Sequence, residues 1–263
     1  MPRVTSPDNP RLKQALRLIS SSRERRKAGL CVLEGANLVD VYLGRHGVPE
    51  TVVAIEDEAA EPRLRQFRGR LPPSRVLTLA ARDWTALTQL PLEIAVIAVV
   101  PTPVPLRGRV ADFCMLLEDV QDPGNVGSML RSAAAAGVAQ VYMSSGCAFA
   151  WSPKVLRAGQ GGHFHLDIFE NVDLAAWMRD FHGKTVAAVA ANGDPLFDAD
   201  LRAPVAVAIG NEGAGLSAPL REAAAHRLTI PMPGGFESLN AAAAAAVCLF
   251  ECVRQRTASV KHR

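Results

Sequence analysis

From Phe113 onward the chain repeats one pattern: a short, almost uninterrupted apolar run, a loop of small residues, then a stretch of helical period. The runs Phe113–Leu117, Gln140–Met143, His165–Phe169, Thr185–Ala190, Val205–Ile209 and Arg227–Ile230 are predicted as strands. A run such as Val205-Ala-Val-Ala-Ile209 has no polar alternate positions, so both of its faces must be covered. Helices are predicted near Val126–Ala136, Leu174–Phe181 and Leu239–Arg256. Strands and helices in alternation imply an α/β fold with a mostly parallel sheet between helical layers. Periodicity alone gives an open, unknotted sheet, because chains almost never knot.

The first hundred residues read differently. Asn9-Pro10 has the form of an N-cap followed by proline at the first helical position. Leu12, Ala15, Leu16 and Ile19 then share one helical face, with Arg11, Lys13 and Arg17 off it. Cys31–Glu34, Thr51–Ile55, Arg75–Leu79 and Ile94–Val100 are predicted strands. Helices are expected from Gly35 to about Leu43, over Ala59–Gln66 and over Ala81–Gln89. Pro101-Thr-Pro-Val-Pro105 can continue neither a helix nor a strand ladder. The expected domains are therefore 1–105 and 106–263.

Charge marks the same division. The chain carries +3 overall, but residues 1–30 carry +6, from Arg3, Arg11, Lys13, Arg17, Arg23, Arg25, Arg26 and Lys27 against Asp8 and Glu24. A basic end on a near-neutral body fits a local polyanion contact, although a solvated basic helix has the same composition. The longest apolar stretch, Ala241 to Phe250, is half the ~20 residues that span a bilayer. With no apolar signal core near the N-terminus, the cytoplasm is the expected location. Five cysteines at irregular spacing fit reduced thiols, and Cys248 and Cys252 read as small hydrophobes of one helix face.

Two motifs are decoys. Gly183-Lys-Thr185 resembles the end of a phosphate-binding loop, but Met178 stands where its first glycine belongs. His163 and His165 alternate as on a strand, yet no acidic or cysteine partners complete a metal site, and no metal is expected.

Three strand–loop–helix junctions carry the chemistry: Asn125-Val-Gly-Ser-Met-Leu-Arg131, Ile209-Gly-Asn-Glu-Gly-Ala-Gly-Leu-Ser217 and Ile230-Pro-Met-Pro-Gly-Gly-Phe-Glu-Ser-Leu-Asn240. Such junctions collect backbone N–H groups and polar side chains where α/β sheets bind ligands. Asn125 and Ser238 read as N-caps, and Gly137 as a helix stop. By spacing alone Arg131 is a surface arginine on an alanine-rich helix, and Glu212 a carboxylate near a helix start.

In this order and with these residues, the three segments resemble the SpoU/TrmH family of SPOUT methyltransferases over roughly residues 112–256. The resemblance implies an S-adenosylmethionine-dependent RNA ribose 2′-O-methyltransferase, most fittingly acting on ribosomal RNA, with a trefoil knot and a homodimeric assembly. By carry-over, Arg131, Asn125, Glu212, Ser238 and Asn240 are the catalytic residues. Gly210, Ile230 and Leu239, with Asn211, Gly213 and Met232, meet the cofactor. Arg131 serves as a base or as a cation stabilising the alkoxide; its permanent protonation makes the second role less demanding. Asn9-Pro10, the basic run to Lys27 and Leu33-Glu34-Gly35 also resemble the ribosomal-protein-like RNA substrate-binding domain of such enzymes. Rival readings are a transfer RNA ribose methyltransferase, a non-catalytic RNA-binding protein with this fold, and a knotted base methyltransferase. The last would need a different acidic base.

Overall fold

At the N-terminal helix α1 (Pro10–Ser20), the Asn9 side chain accepts hydrogen bonds from the N–H groups of Arg11 and Leu12, and Pro10 opens the first turn. Leu12, Ala15 and Leu18 face inward, as their spacing requires. The structure, a computed structural model, describes residues 8–56, 67, 69–106, 108, 110–202 and 204–260. The chain divides into two units, Met1–Pro103 with Trp151–Phe164, and Val104–Ala150 with His165–Arg263.

In the first unit α2 (Ser22–Ala28) leads into a four-stranded sheet of β1 (Leu30–Glu34), β2 (Thr51–Ile55), β3 (Val76–Leu79) and β4 (Val96–Pro101). The order is β1-β4-β2-β3, with β4 antiparallel to β1 and β2, and β2 parallel to β3. Two further helices, α3 (Ala36–Arg45) and α4 (Ala81–Thr88), flank it; Trp84 of α4 lies fully buried among Leu12, Val53 and Ile97. The helix expected at Ala59–Gln66 falls outside the described residues. Trp151–Phe164 belongs here by contact: its short helix Pro153–Gly159 packs on β1, and Phe164 meets Tyr42 edge-on, ring centres 5.4 Å apart.

The second unit is a seven-stranded sheet: β5 (Phe113–Leu117), β6 (Gln140–Met143), β7 (Asp167–Phe169), β8 (Lys184–Ala188), β9 (Asp194–Pro195), β10 (Val205–Ile209) and β11 (His226–Thr229). The order is β7-β6-β5-β10-β8-β11-β9, and every pairing is parallel. All carboxyl ends therefore open on one edge. Its helices among the described residues are α5 (Pro123–Ala136), α6 (Leu174–Asp180), α7 (Ala218–Ala223) and α8 (Ala241–Val260); α5 and α8 pack against each other. Both faces of β5 and β10 are buried, which explains their unbroken apolar runs.

Two expectations need correction. Gly162–His165 is a 3-10 turn, so β7 starts only at Asp167, and His163 and His165 are not a strand-face pair. His163 is fully buried against the ring of Trp151. The expected run Thr185–Ala190 ends earlier, at Ala188; Val189 and Ala190 follow outside the strand and line the cleft described below. Among the described residues no helix is long and apolar enough to cross a membrane.

Candidate active site

The carboxyl edge of the second sheet is shaped by three loops. After β5 the chain turns sharply at Asp119, whose φ of 53° is left-handed. Ser144 holds that turn: its Oγ donates to Asp119 Oδ1 at 2.6 Å and accepts from the Asp119 N–H at 2.9 Å. Asp122 then caps α5 by accepting from the Asn125 N–H at 2.7 Å, with Pro123 at the first helical position. Asn125 is therefore not the N-cap its sequence context predicted. It lies inside the first turn, with its amide group free to reach across the edge.

The loop after β10 folds back on itself. Asn211 and Gly215 pair through both backbone groups, at 3.1 and 2.9 Å, while the Asn211 side chain accepts from the N–H groups of Gly213 and Ala214 and donates to the Asp119 carbonyl at 2.8 Å. Gly210 is required by this hairpin: a Cβ there would come within 2.3 Å of the Gly215 carbonyl carbon and 2.4 Å of the Leu216 nitrogen. Ser217 caps α7, and its N–H and hydroxyl both donate to Glu118, at 2.7 and 2.6 Å.

Glu212 joins this loop to the first. Its Oε1 accepts from Asn125 Nδ2 at 2.9 Å and from the Asp122 N–H at 3.3 Å, and Oε2 from the Gln121 N–H at 3.5 Å. Burial pushes its carboxyl up, but the bonds from Asn125 and from the N–H groups of Glu212 itself, Asp122 and Gln121 outweigh that, leaving it below the ordinary carboxylate value. The third segment completes the chain of contacts, because Asn240 Nδ2 donates to Asn125 Oδ1 at 3.1 Å. Asn240, not Ser238, caps α8: its Oδ1 accepts from the N–H groups of Ala242 and Ala243. The helix begins at Ala241, two residues later than a Ser238 cap would require.

Beside this network is a cleft of about 210 Å³. Gly210, Asn211, Glu212, Gly213, Ile230, Met232, Ser238 and Leu239 all line it, so the structure gathers eight of the residues singled out in the sequence. Asn125 and Asn240 join them through Glu212. Arg131 stands apart: it is exposed on α5, outside the cleft lining, with no hydrogen-bond or ion-pair partner among the described residues. Sequence reasoning assigned no site role to Glu118, Asp119 and Ser144, which hold the loops, or to Ala188–Ala190, Leu228 and Ala244 in the wall. The one local signal for them was Glu118-Asp119 falling directly after a strand.

The cleft suits a ligand with a flat, largely apolar part and a positively charged group. Ile209, Leu228, Ile230 and Met232 supply apolar walls, and Gly210 brings bare backbone to the surface. An ionised carboxylate, Glu212, stands in the lining to complement positive charge. Fold and site thus define an α/β protein with a ligand cleft at the carboxyl ends of parallel strands.

The profile of the SpoU rRNA Methylase family matches residues 112–250. The chain is 32% identical to an uncharacterised tRNA/rRNA methyltransferase of Synechocystis sp., over 97% of this chain and 95% of that one. It is 30% identical to the 23S rRNA (guanosine(2553)-2′-O)-methyltransferase RlmP of Bacillus subtilis, over 95% and 98%. Among solved structures it is similar to the SpoU methyltransferase AviRb of Streptomyces viridochromogenes in complex with the cofactor AdoMet, with a TM-score of 0.77, 28% identity and coverage of 95% and 100%. This chain belongs to the SpoU family of S-adenosylmethionine-dependent RNA 2′-O-methyltransferases. Membership implies the trefoil knot.

Proposed function

We propose that this chain methylates a ribose 2′-hydroxyl of ribosomal RNA. The observation that carries the reading is the hydrogen-bonded series Glu212–Asn125–Asn240, which ties three loops into one polar rim beside the cleft. S-adenosylmethionine, when bound, supplies an electrophilic methyl group. Backbone at Gly210, Ile230 and Leu239 holds it, with Asn211, Gly213 and Met232 around it. Glu212 fixes the Asn125 amide, Asn125 fixes that of Asn240, and with Ser238 they orient the acceptor ribose. Arg131 stays protonated and stabilises the negative charge that develops on the acceptor oxygen as its proton passes to water. Ribosomal RNA is favoured because the RlmP relative, matched almost end to end, carries that substrate in its name.

The test is methyl transfer from labelled cofactor to ribosomal and transfer RNA of cells lacking the protein, followed by mapping of the modified nucleoside. A 2′-O-methyl mark on ribosomal RNA is the expected result; a mark confined to transfer RNA, or none, overturns the reading.

The active assembly is a homodimer built on α8. Ala243 and Phe250, two turns apart on one helix face, are both exposed, and Phe236 and Leu239 add apolar surface just before the helix. By contrast Ala245 and Ala133 are buried within the subunit. Sedimentation of the full chain should give a dimer that Ala243→Arg dissociates. A fully active wild-type monomer at micromolar concentration would sink this assignment.

A further inference from the structure

A second hollow, of about 500 Å³, adjoins the cleft and shares Ala188, Val189, Ala190, Gly213 and Gly215 with it. Arg221 and Arg227 stand in its wall. Both are exposed, and neither side chain has a hydrogen-bond or ion-pair partner among the described residues. Both also rise from fixed backbone. Arg221 is on α7, whose cap Ser217 is doubly bonded to Glu118. Arg227 is in β11, paired with β8, and the Gly193 turn is so close that a Cβ at Gly193 would come within 2.8 Å of the Arg227 carbonyl oxygen. Glu222 also lines the hollow, leaving one net positive charge among the three.

Two unpaired guanidinium groups on rigid elements, beside a cleft for the methyl donor, suit an anion that arrives with the acceptor rather than with the donor. A phosphodiester is such an anion. It carries one negative charge and several acceptor oxygens, which planar arginine forks bind in pairs. We propose that this hollow is a subsite for the RNA backbone next to the acceptor nucleotide, gripped by Arg221 and Arg227. The proposal rests on the reading of the adjoining cleft as the methyl-donor site. It adds the route by which the strand reaches that site.

The experiment uses the full chain with Arg221→Ala, Arg227→Ala, the double variant and, as a control, Arg179→Ala, an exposed arginine on α6. Binding of deproteinised ribosomal RNA is measured without cofactor across a salt series, and S-adenosylmethionine binding is measured by calorimetry without RNA. The expected result is weaker RNA binding in each single variant. The double variant should also lose about 1.4 from the slope of log affinity against log salt, roughly 0.7 for each single-strand phosphate it no longer neutralises. Cofactor affinity and the Arg179→Ala control should stay at the wild-type level. Loss of cofactor affinity in Arg221→Ala or Arg227→Ala would make the hollow part of the donor site and overturn the proposal. So would unchanged RNA binding and slope in a wild type that does methylate RNA. A wild type that binds no RNA at all defeats the proposed function itself, and this subsite with it.

Discussion

The two units use their polar residues in opposite ways. In the first, charge works inward. Arg11 donates to Thr51 Oγ1 and to the carbonyls of Ser74 and Arg75; Arg25 is buried and donates to the carbonyls of Leu18 and Ile19; Glu34 is buried in an ion pair with Arg157. In the second, Glu118, Asn125, Glu212 and Asn240 lie at loop ends along one edge. Topology accounts for the contrast. A fully parallel sheet delivers every loop that follows a strand to the same edge, whereas the mixed sheet scatters its strand ends over both. A shared polar site can therefore assemble in the second unit. The first unit is left with its surface, where Arg17, Arg23 and Lys27 are exposed without partners among the described residues.

The largest effect should come from α5, the helix whose first turn joins the edge of the parallel sheet. Arg131→Ala is expected to lower kcat by about 10²–10³-fold, the usual cost of one oxyanion-stabilising donor, with cofactor affinity unchanged. Near-normal turnover would make Arg131 an ordinary surface residue, and the contrast between the units would lose its catalytic half. Arg131→Lys separates charge from shape, since it keeps the cation and removes the fork.

Gly210→Ala tests whether the edge is built as tightly as its geometry requires. The new Cβ meets main chain of Gly215 and Leu216, which cannot rotate away as a side chain would. We expect a loss of roughly 1–3 kcal/mol in stability, typical of overpacking, together with weaker cofactor binding in calorimetry. Wild-type values for both would mean that the hairpin is softer than its contacts imply.

The first unit should respond only through RNA. Arg17→Glu, Arg23→Glu and Lys27→Glu together are expected to raise the KM for RNA and to flatten its salt dependence, by about 0.9 in slope for each duplex phosphate left without its cation. Turnover at saturating RNA and cofactor binding should hold. Equal effects on kcat would show that this unit shares in the chemistry. Charge reversal on the full chain is preferable to deletion of residues 1–105, because Trp151–Phe164 packs within the first unit and deletion would bare Phe164 and Leu156.

Much of this contrast was readable in the sequence where the cause is local. Helix α1 and its Asn9 cap, and the strands Phe113–Leu117 and Val205–Ile209, lie where their patterns predicted. The resemblance supplied the residues of the cleft and the knot; periodicity alone pointed to an unknotted sheet. What the sequence hid is non-local. Asn125 and Glu212 are 87 residues apart and Asn125 and Asn240 115 apart, so no spacing rule joins them. The caps of α5 and α8 were misplaced because several neighbouring residues can cap, and tertiary contacts choose among them. Likewise the +6 charge of residues 1–30 overstated the free cations, since the partners of Arg11 are 40 to 64 residues away. The elements Pro153–Gly159, α7 and β9 are too short for their periodicity to register.

The smallest expected effect concerns the bond that ties the loops. Glu212 is held below its ordinary value of 4.5, so it favours the folded arrangement while ionised. That contribution is fully present above 4.5, falls as the pH drops below it, and is lost as the pH passes through the lower folded value. Glu212→Gln removes the charge but keeps the shape, leaving Asn125 facing an amide. Wild type should therefore exceed Glu212→Gln in stability at neutral pH, by a small margin because the site is open to solvent. The two should converge as the pH falls toward the folded value. The check is thermal unfolding of both proteins at a series of pH values from 7 downward. A difference that persists unchanged at low pH would mean that ionisation of Glu212 is not its source, and that the loops after β5 and β10 are tied by Asn211 and Asp119 instead.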